Sequence, residues 1–437
     1  MGFHELTMKH TICFIISHRG TALEMLPVIA AVDSQTQYCS RVLITKHAAE
    51  TIPVLEKNNI EYMVLHTEHL SRFVHHIPFV RTVVRACFMV SLAHKILVGM
   101  NAAALVMGNE HRLWWETAFI KAANKFGIPS LILPHGLYLA SGVCVERSRS
   151  PCYEKDYVIN SWLKKLIAYF FPLWVFSYRG KRIFYYPWPS ALAAWCTGLM
   201  PPSPWDLRGF RGTLLAAESG YAKNLYIRQG ISEEQVIITG RPSLDVTAAL
   251  VSDEQMRMLR HKYHVRDEDR IVLCSLPDLA EHRLLSWDDH WEEIEFLLHT
   301  FQSLKGAKIL ISIHPLCDPE KYQAIAYKYD AQIIDERVYE IQPICDVYVS
   351  MISSTVIQAR AWNKPVVVAD FYNLGISLYE NECGIVLIRT KSALLSALQK
   401  ALNLPKQGGI NTYWALLDGG NTIRVLKTLH NLIMKRS

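Results

Sequence analysis

The chain has 437 residues, half of them hydrophobic and a fifth charged, with a formal net charge of +6. That length suits two domains with substantial cores, and the composition excludes extended disorder. The mild positive charge fits anionic ligands or an anionic membrane surface and is too weak for nucleic acid. The ten cysteines show no Cys-x-x-Cys pair or zinc spacing and read as reduced cytosolic thiols.

The first strand is expected at Ile12–Ile16. The run Thr11–Ser17 is too short for a signal peptide, so a cytoplasmic setting is expected. The strand ends at Ser17-His18-Arg19-Gly20-Thr21, and helix Ala22–Val32 follows. Strand, glycine-containing loop and helix open a doubly wound domain, with His18 and Arg19 as expected acceptor contacts. Further strands read at Arg41–Thr45 and Tyr62–His66. Pro78–Met100 reads as one long apolar helix, but Arg81, Arg85, His94 and Lys95 interrupt it as a membrane span. Leu105–Met107 leads into Gly108-Asn109-Glu110-His111. Helix Trp114–Phe126 and strand Ser130–Leu133 follow, the latter ending at Pro134-His135-Gly136. Two strand ends thus bring Glu110 and His135 toward one edge. Either they serve chemistry, or His135 caps a strand and Gly136 permits the turn.

Tyr157–Trp195 differs in composition. Leu166–Tyr178 carries no charge and is rich in Phe, Tyr and Trp, with Lys164 and Lys165 before it and Arg179, Lys181 and Arg182 after. It contains Pro172 and is too short to span a bilayer. Interleaved aromatic and basic residues suit a membrane interface, with Phe170, Phe171 and Trp174 as expected contacts; the other reading is a packed insertion. Strands Thr213–Ala217 and Val236–Thr239 close the first domain, ending in Thr239-Gly240-Arg241-Pro242, with Asp245 as an expected cap for the next helix. The first domain is assigned to 1–250 and the second to 251–437, with Ser252–Arg270 as linker and the final helix, Asn421–Met434, expected to pack back on the first domain.

The second domain opens with strand Ile271–Cys274 and the loop Ser275-Leu276-Pro277-Asp278, expected to face a phosphate or the cleft. Helix Trp291–Leu304 follows. Strand Lys308–Ile313 runs into His314-Pro315, Ala331–Ile334 is a short strand, and Asp346–Met351 ends in Ser353-Ser354-Thr355. Helix Thr355–Trp362, Asn363-Lys364-Pro365 and strand Val366–Ala369 come next, and Gly384–Ile388 is the last strand. Continuous apolar runs alternating with helices define parallel sheets covered on both faces, which bind ligands beyond the carboxyl ends of their strands. Hydroxyls and free N–H groups at a strand–helix junction favour an anion, and a histidine at a neighbouring strand end adds a donor.

Strand-His-Pro, strand-Ser-Ser and helix-Lys-Pro-Val together resemble the donor half of GT-B glycosyltransferases. The similarity is to bacterial CMP-sugar transferases of the sialic acid and Kdo type and to CDP-glycerol glycerophosphotransferases. The His18–Ala30 run also resembles the start of non-hydrolysing UDP-GlcNAc 2-epimerases. The resemblance implies an α/β GT-B fold, two Rossmann-like doubly wound domains facing a central cleft. It implies that His314, Pro315, Ser353, Ser354 and Thr355, with Ser275, hold the nucleotide phosphate, and that Gln358 stands where UDP-sugar enzymes place a ribose-gripping glutamate, which favours cytidine. His135-Gly136 resembles the His-Gly of the CDP-glycerol enzymes, making His135 the expected base and Glu110 its alternative. No cofactor is implied and metal-independent activity is expected. The expected role is transfer of a CMP-activated ulosonic acid to a glycan or lipid-linked acceptor of a bacterial capsule or lipopolysaccharide, at the inner-membrane surface. The alternatives are a CDP-glycerol or UDP-sugar transferase, an epimerase-like enzyme and a non-catalytic glycan-binding subunit.

Overall fold

The computed structural model describes residues 9–66, 78–137, 143–144, 147–148, 151–281, 285–314, 317–351, 353–371, 378–405 and 408–436. The chain forms two compact units. The first comprises Met1–Ala140, Lys155–Asp245 and Gly420–Ser437; the second comprises Ser141–Glu154 and Val246–Gly419.

In the first unit, β1 (His10–Ile16), β2 (Tyr38–Thr45), β3 (Tyr62–Leu65), β4 (Ala102–Met107) and β5 (Ser130–Ile132) precede a hairpin, β6 (Val175–Tyr178) and β7 (Lys181–Phe184). Then come β8 (Leu214–Ala217) and β9 (Val236–Ile238). Outside the hairpin these strands form one seven-stranded parallel sheet in the order β3-β2-β1-β4-β5-β8-β9. Both faces of β1 are buried. Ile12, Phe14 and Ile16 pack among Met25, Val28 and Ile29 of helix α1 (Arg19–Asp33), while Cys13 and Ile15 meet the opposite cluster. This two-sided burial explains the unbroken apolar runs. That opposite cluster takes in Ala86, Met89, Ala93 and Leu97 of α2 (Pro78–Gly99) and Phe119 of α3 (Trp115–Lys125). By length and composition alone Phe79–Gly99 is apolar enough to cross a membrane.

β1 lies between β2 and β4, so connections leave it in opposite directions and a crevice opens beyond its carboxyl end. His18 follows β1, Glu110 follows β4 and His135 follows β5, so the topology gathers all three at one end of the sheet.

The Tyr157–Trp195 stretch folds into α4 (Trp162–Phe170), the β6–β7 hairpin and α5 (Trp188–Cys196). Arg179 and Gly180 turn the hairpin, both at positive φ (48° and 76°), which matches the twist of a two-residue connection. The last helix, Asn421–Met434, belongs to the first unit and places Val425 and Leu429 in the α1 cluster. Asp245 caps this helix and not the next one in sequence: its carboxylate accepts from the backbone N–H groups of Asn421 and Thr422, both at 2.8 Å. A cap supplied from 176 residues away leaves no local sequence signal.

The second unit holds β10 (Arg270–Ser275), β11 (Ala307–Ser312), β12 (Ala331–Ile333), β13 (Val347–Ser350), β14 (Val366–Ala369) and β15 (Ile385–Ile388). They form a parallel sheet in the order β12-β11-β10-β13-β14-β15. Here β10 sits at the reversal, between β11 and β13. Ser275 ends β10, His314 follows β11, and Ser353 precedes α6 (Thr355–Ala361) after β13, so these residues occupy the ends of three adjacent strands.

Candidate active site

In the first unit a cavity of about 110 Å³ is lined by His18, Asn109, Glu110, His111, His135 and Phe210, among others. Its chemistry follows from the partners of its two imidazoles. His18 is the N-cap of α1. Its Nδ1 accepts the Thr21 N–H at 3.3 Å, and the Thr21 hydroxyl accepts the His18 N–H at 3.3 Å, closing a capping box. A backbone N–H only donates, so Nδ1 carries no proton and the neutral ring bears it on Nε2. Burial, then the charge of Arg112 and the proximity of His135, hold the His18 pKa down at about 4, so the ring stays neutral.

His135 has the opposite arrangement. Its Nδ1 lies 3.4 Å from Oε1 of Glu24, a fully buried residue of α1. Burial pushes the Glu24 carboxyl up, but Arg241 and hydrogen bonds from His135, Arg241 and Ser243 outweigh it and hold the pKa at about 2. An ionised carboxylate only accepts, so the bond to Glu24 calls for a proton on Nδ1 and a lone pair on Nε2, while a terminal nitrogen of Arg241, which only donates, also lies 3.5 Å from Nδ1. The two rings stand edge to face with centroids 5.9 Å apart. With His135 bonded to Glu24 through an Nδ1 proton, the cavity is lined by one imidazole whose Nε2 donates and one whose Nε2 accepts. Gly20 completes the arrangement, because a Cβ there would overlap the His135 ring. Arg19 beside them is exposed.

Glu24 is the hub of this site, and the sequence reading missed it. Its Oε1 accepts from Nε and a terminal nitrogen of Arg241 at 3.0 and 2.6 Å and from the Ser243 hydroxyl at 2.8 Å; Oε2 accepts the Ser243 N–H at 3.2 Å. Arg241 also lies 3.5 Å from the buried Glu218. Burial raises the Glu218 carboxyl, Arg241 draws it down less, and the charge of Glu24 adds to the rise. The Gly-Arg-Pro-Ser segment after β9 thus supports the His135 site. An acid at position 24 inside an apolar helix pattern was the available signal, since a buried carboxylate needs a partner.

Glu110 is committed elsewhere. Its Oε2 accepts the backbone N–H groups of Arg211 and Gly212 at 2.7 and 3.0 Å, and Oε1 lies 3.2 Å from His111 Nε2. Those bonds brace the segment entering β8 against the loop after β4.

In the second unit the structure links three of the expected phosphate ligands into one chain. The Ser275 hydroxyl is 2.6 Å from Tyr348 OH, which is 2.6 Å from the Thr355 hydroxyl, which is 2.8 Å from that of Ser353. Tyr348, buried on β13, was not anticipated. The Ser353 carbonyl accepts from Tyr379 OH at 2.7 Å. Ser354 precedes α6 without a side-chain cap bond. His314, on the neighbouring strand end, has Nδ1 3.5 Å from Asp278 in the loop after β10. Gln358 faces the interior at 3% exposure. Pro315 lies outside the described residues.

Among the described residues no cluster of three or more His, Cys, Asp or Glu side chains is arranged to hold a metal. Asp267-Glu268-Asp269 has an Asp-x-Asp pattern but sits in the turn before β10, where Asp269 accepts from the Arg266 N–H at 2.9 Å and from its guanidinium.

No family model matches the chain, and no curated protein matches it by sequence. Its fold matches solved structures. The UDP-GlcNAc 2-epimerase of Neisseria meningitidis, bound to UDP-GlcNAc, superposes with a TM-score of 0.54 at 14% identity, over 96% of this chain and 100% of that one. MnaA of S. aureus with UDP gives 0.53 at 14% identity, over 98% of each chain. The wall teichoic acid polymerase TagF with CDPG gives 0.50 at 12% identity, over 98% of this chain and 90% of that one. The two Rossmann-like parallel-sheet units have the GT-B fold.

Proposed function

We propose that the chain is a nucleotide-sugar-dependent glycosyltransferase, with His135 as the base that activates the acceptor hydroxyl. One observation carries this reading: His135 lines the cavity with its Nδ1 3.4 Å from the buried Glu24 carboxylate, the bond that would hold its proton on that side and leave Nε2 to accept. A general base has to be placed in this way, oriented by a third group and within reach of a substrate proton. In the proposed step the acceptor O–H proton passes to His135 Nε2. The acceptor oxygen bonds to the anomeric carbon, and the bond from that carbon to the phosphate oxygen breaks, its electron pair leaving with the nucleotide. His18 Nε2–H donates to the acceptor and positions it. His314 and the Ser353–Ser354 hydroxyls donate to the departing phosphate, where charge develops.

The donor in this reading is a CMP-activated ulosonic acid, and the acceptor a glycan of a bacterial surface polysaccharide. The cytidine preference rests on the resemblance of the His-Pro and Ser-Ser strand ends, because Gln358 is buried and offers a ribose no exposed group. Calorimetry is expected to show CMP or CDP binding more tightly than UDP; much tighter UDP binding overturns the cytidine assignment. Nucleotide release that depends on a glycan acceptor supports transfer. Conversion of UDP-GlcNAc to its 2-epimer without an acceptor replaces transfer with epimerisation, and nucleotide binding without turnover leaves a glycan-binding subunit. Turnover is also expected to persist in excess EDTA; loss restored by magnesium or manganese contradicts a metal-free mechanism.

A further inference from the structure

The helix α4 is inside out. Trp162, Lys165, Leu166, Tyr169 and Phe170 recur at i, i+3, i+4, i+7 and i+8 and so share one face. On an ordinary surface helix such a stripe faces the core. Here it faces solvent: Trp162 is 76% exposed, Tyr169 78%, Phe170 65% and Leu166 47%. Inside lie Ile167 and Ala168 and, with them, one of the helix's two lysines. Lys164 is buried, and its Nζ donates to the carbonyls of Lys155 and Val158 at 2.5 and 2.8 Å and to Asn160 Oδ1 at 3.3 Å. An ammonium held by three oxygens on one side fixes the rotation of the helix, so the aromatic face cannot turn inward without unpairing a buried charge.

The apolar surface continues past the helix. Leu173 is half exposed, and Phe171 stacks on the buried Trp174 at 3.9 Å and meets the exposed Trp195 of α5 at 5.3 Å. Trp174 is therefore part of the packing that supports the patch and is not a contact, which corrects the choice made from sequence. The flanking charge is mostly basic. From Tyr157 to Trp205 the chain contains Lys164, Lys165, Arg179, Lys181 and Arg182 and no acidic residue. Lys165 lies on the aromatic face itself, and Arg179 and Lys181 sit at the tip of the β6–β7 hairpin.

We infer that α4, with Leu173, Trp195 and the basic hairpin, is a docking surface for an anionic lipid bilayer, entered to headgroup depth. Trp and Tyr at such a boundary keep an apolar body in the acyl region and a polar tip in water, and lysine and arginine nearby meet anionic headgroups. A partner protein or a second copy would bury aromatics equally well, but a predominantly basic rim, with the exposed Asp156 beside Lys164 as its nearest acid in the chain, opposes pairing with its own copy and favours a uniformly anionic plane.

Flotation of the full chain with phosphatidylcholine vesicles containing phosphatidylglycerol is the test, against pure phosphatidylcholine vesicles. Wild type is expected to float with the anionic vesicles and much less with the neutral ones. Replacing Trp162, Tyr169 and Phe170 together with serine is expected to lower partitioning by about 100-fold or more. Charge reversal at Lys165→Glu and Arg182→Glu is expected to lower it by more than about 25-fold, at about fivefold for each of the two cations removed and further for the acids added. Circular dichroism should be unchanged in both variants, since all five side chains are exposed. Wild type that does not float, or aromatic variants that float as well as wild type, overturns the inference. A wild-type dimer in sedimentation velocity that the serine substitutions convert to monomer assigns the surface to a second copy and also overturns it.

Discussion

Glu24→Ala is expected to destabilise the first unit by about 3–5 kcal/mol, because it leaves the Arg241 guanidinium buried without the carboxylate that compensates it. Three segments distant in sequence meet at this carboxylate: α1 supplies it, the strand end after β5 brings His135, and the segment after β9 brings Arg241 and Ser243. Glu24→Gln preserves the volume but not the charge and should show the pH dependence that accompanies it. The Glu24 pKa is held at about 2, below its ordinary 4.5. Such a group contributes stability that is fully present above about pH 4.5 and is lost as pH falls toward 2. A difference of that size corresponds to roughly 3 kcal/mol. Urea unfolding from pH 7 down to pH 2.5 is therefore expected to show a wild-type loss in the acid limb that Glu24→Gln lacks. A loss under about 1 kcal/mol on Glu24→Ala at pH 7 would mean that Arg241 finds another partner, Glu218 being the nearest, and that Glu24 does not hold the site.

Much of the architecture was legible before the structure because parallel strands buried on both faces announce themselves as apolar runs. Val366–Ala369 and Asn421–Met434 match residue for residue, and the other sheet strands shift by one to three residues at an end. Three features were not legible. The β6–β7 hairpin and α4 lie in a stretch where aromatics fall on the exposed side, so its period gives no inward face to read. Asp245 caps a helix that is remote in sequence. The hub of the candidate site required pairing Glu24 with Arg241, 217 residues apart, and a single sequence shows a buried acid only as an oddity in an apolar pattern. The strand-end motifs Pro134-His135-Gly136 and Ser353-Ser354-Thr355 were legible because short motifs at strand ends survive in one dimension. What each hydrogen-bonds was not, and that decides the role. Glu110 and His135 look equivalent as residues after strands and both line the cavity, yet the Glu110 carboxylate is taken up by two backbone N–H groups while His135 is held at one nitrogen by Glu24.

His135→Ala is expected to lower turnover by about 10²–10⁴-fold while nucleotide affinity changes little, since the imidazole belongs to the first unit and acts on the acceptor. His314→Ala should behave in the opposite way. Its ring follows β11, the strand next to β10, which carries Ser275 of the Ser275–Tyr348–Thr355–Ser353 hydroxyl chain, and its Nδ1 lies 3.5 Å from Asp278. A lost hydrogen bond to a charged phosphate is worth roughly 1.5–3 kcal/mol. That is about 10- to 100-fold in affinity, read by calorimetry with the nucleotide alone. Comparing the two substitutions separates proton transfer from phosphate holding without assuming which donor sugar is used. Near-wild-type turnover in a well-folded His135→Ala variant would pass the base role to Glu110, and that carboxylate would first have to release the Arg211 and Gly212 N–H groups it now accepts from. A Glu110→Gln variant made in the His135→Ala background would then abolish the residual rate. If His314→Ala leaves nucleotide affinity intact, the phosphate is held by the hydroxyl chain alone. In that case Ser353→Ala becomes the substitution that must weaken binding, because its hydroxyl ends that chain and its carbonyl is fastened by Tyr379.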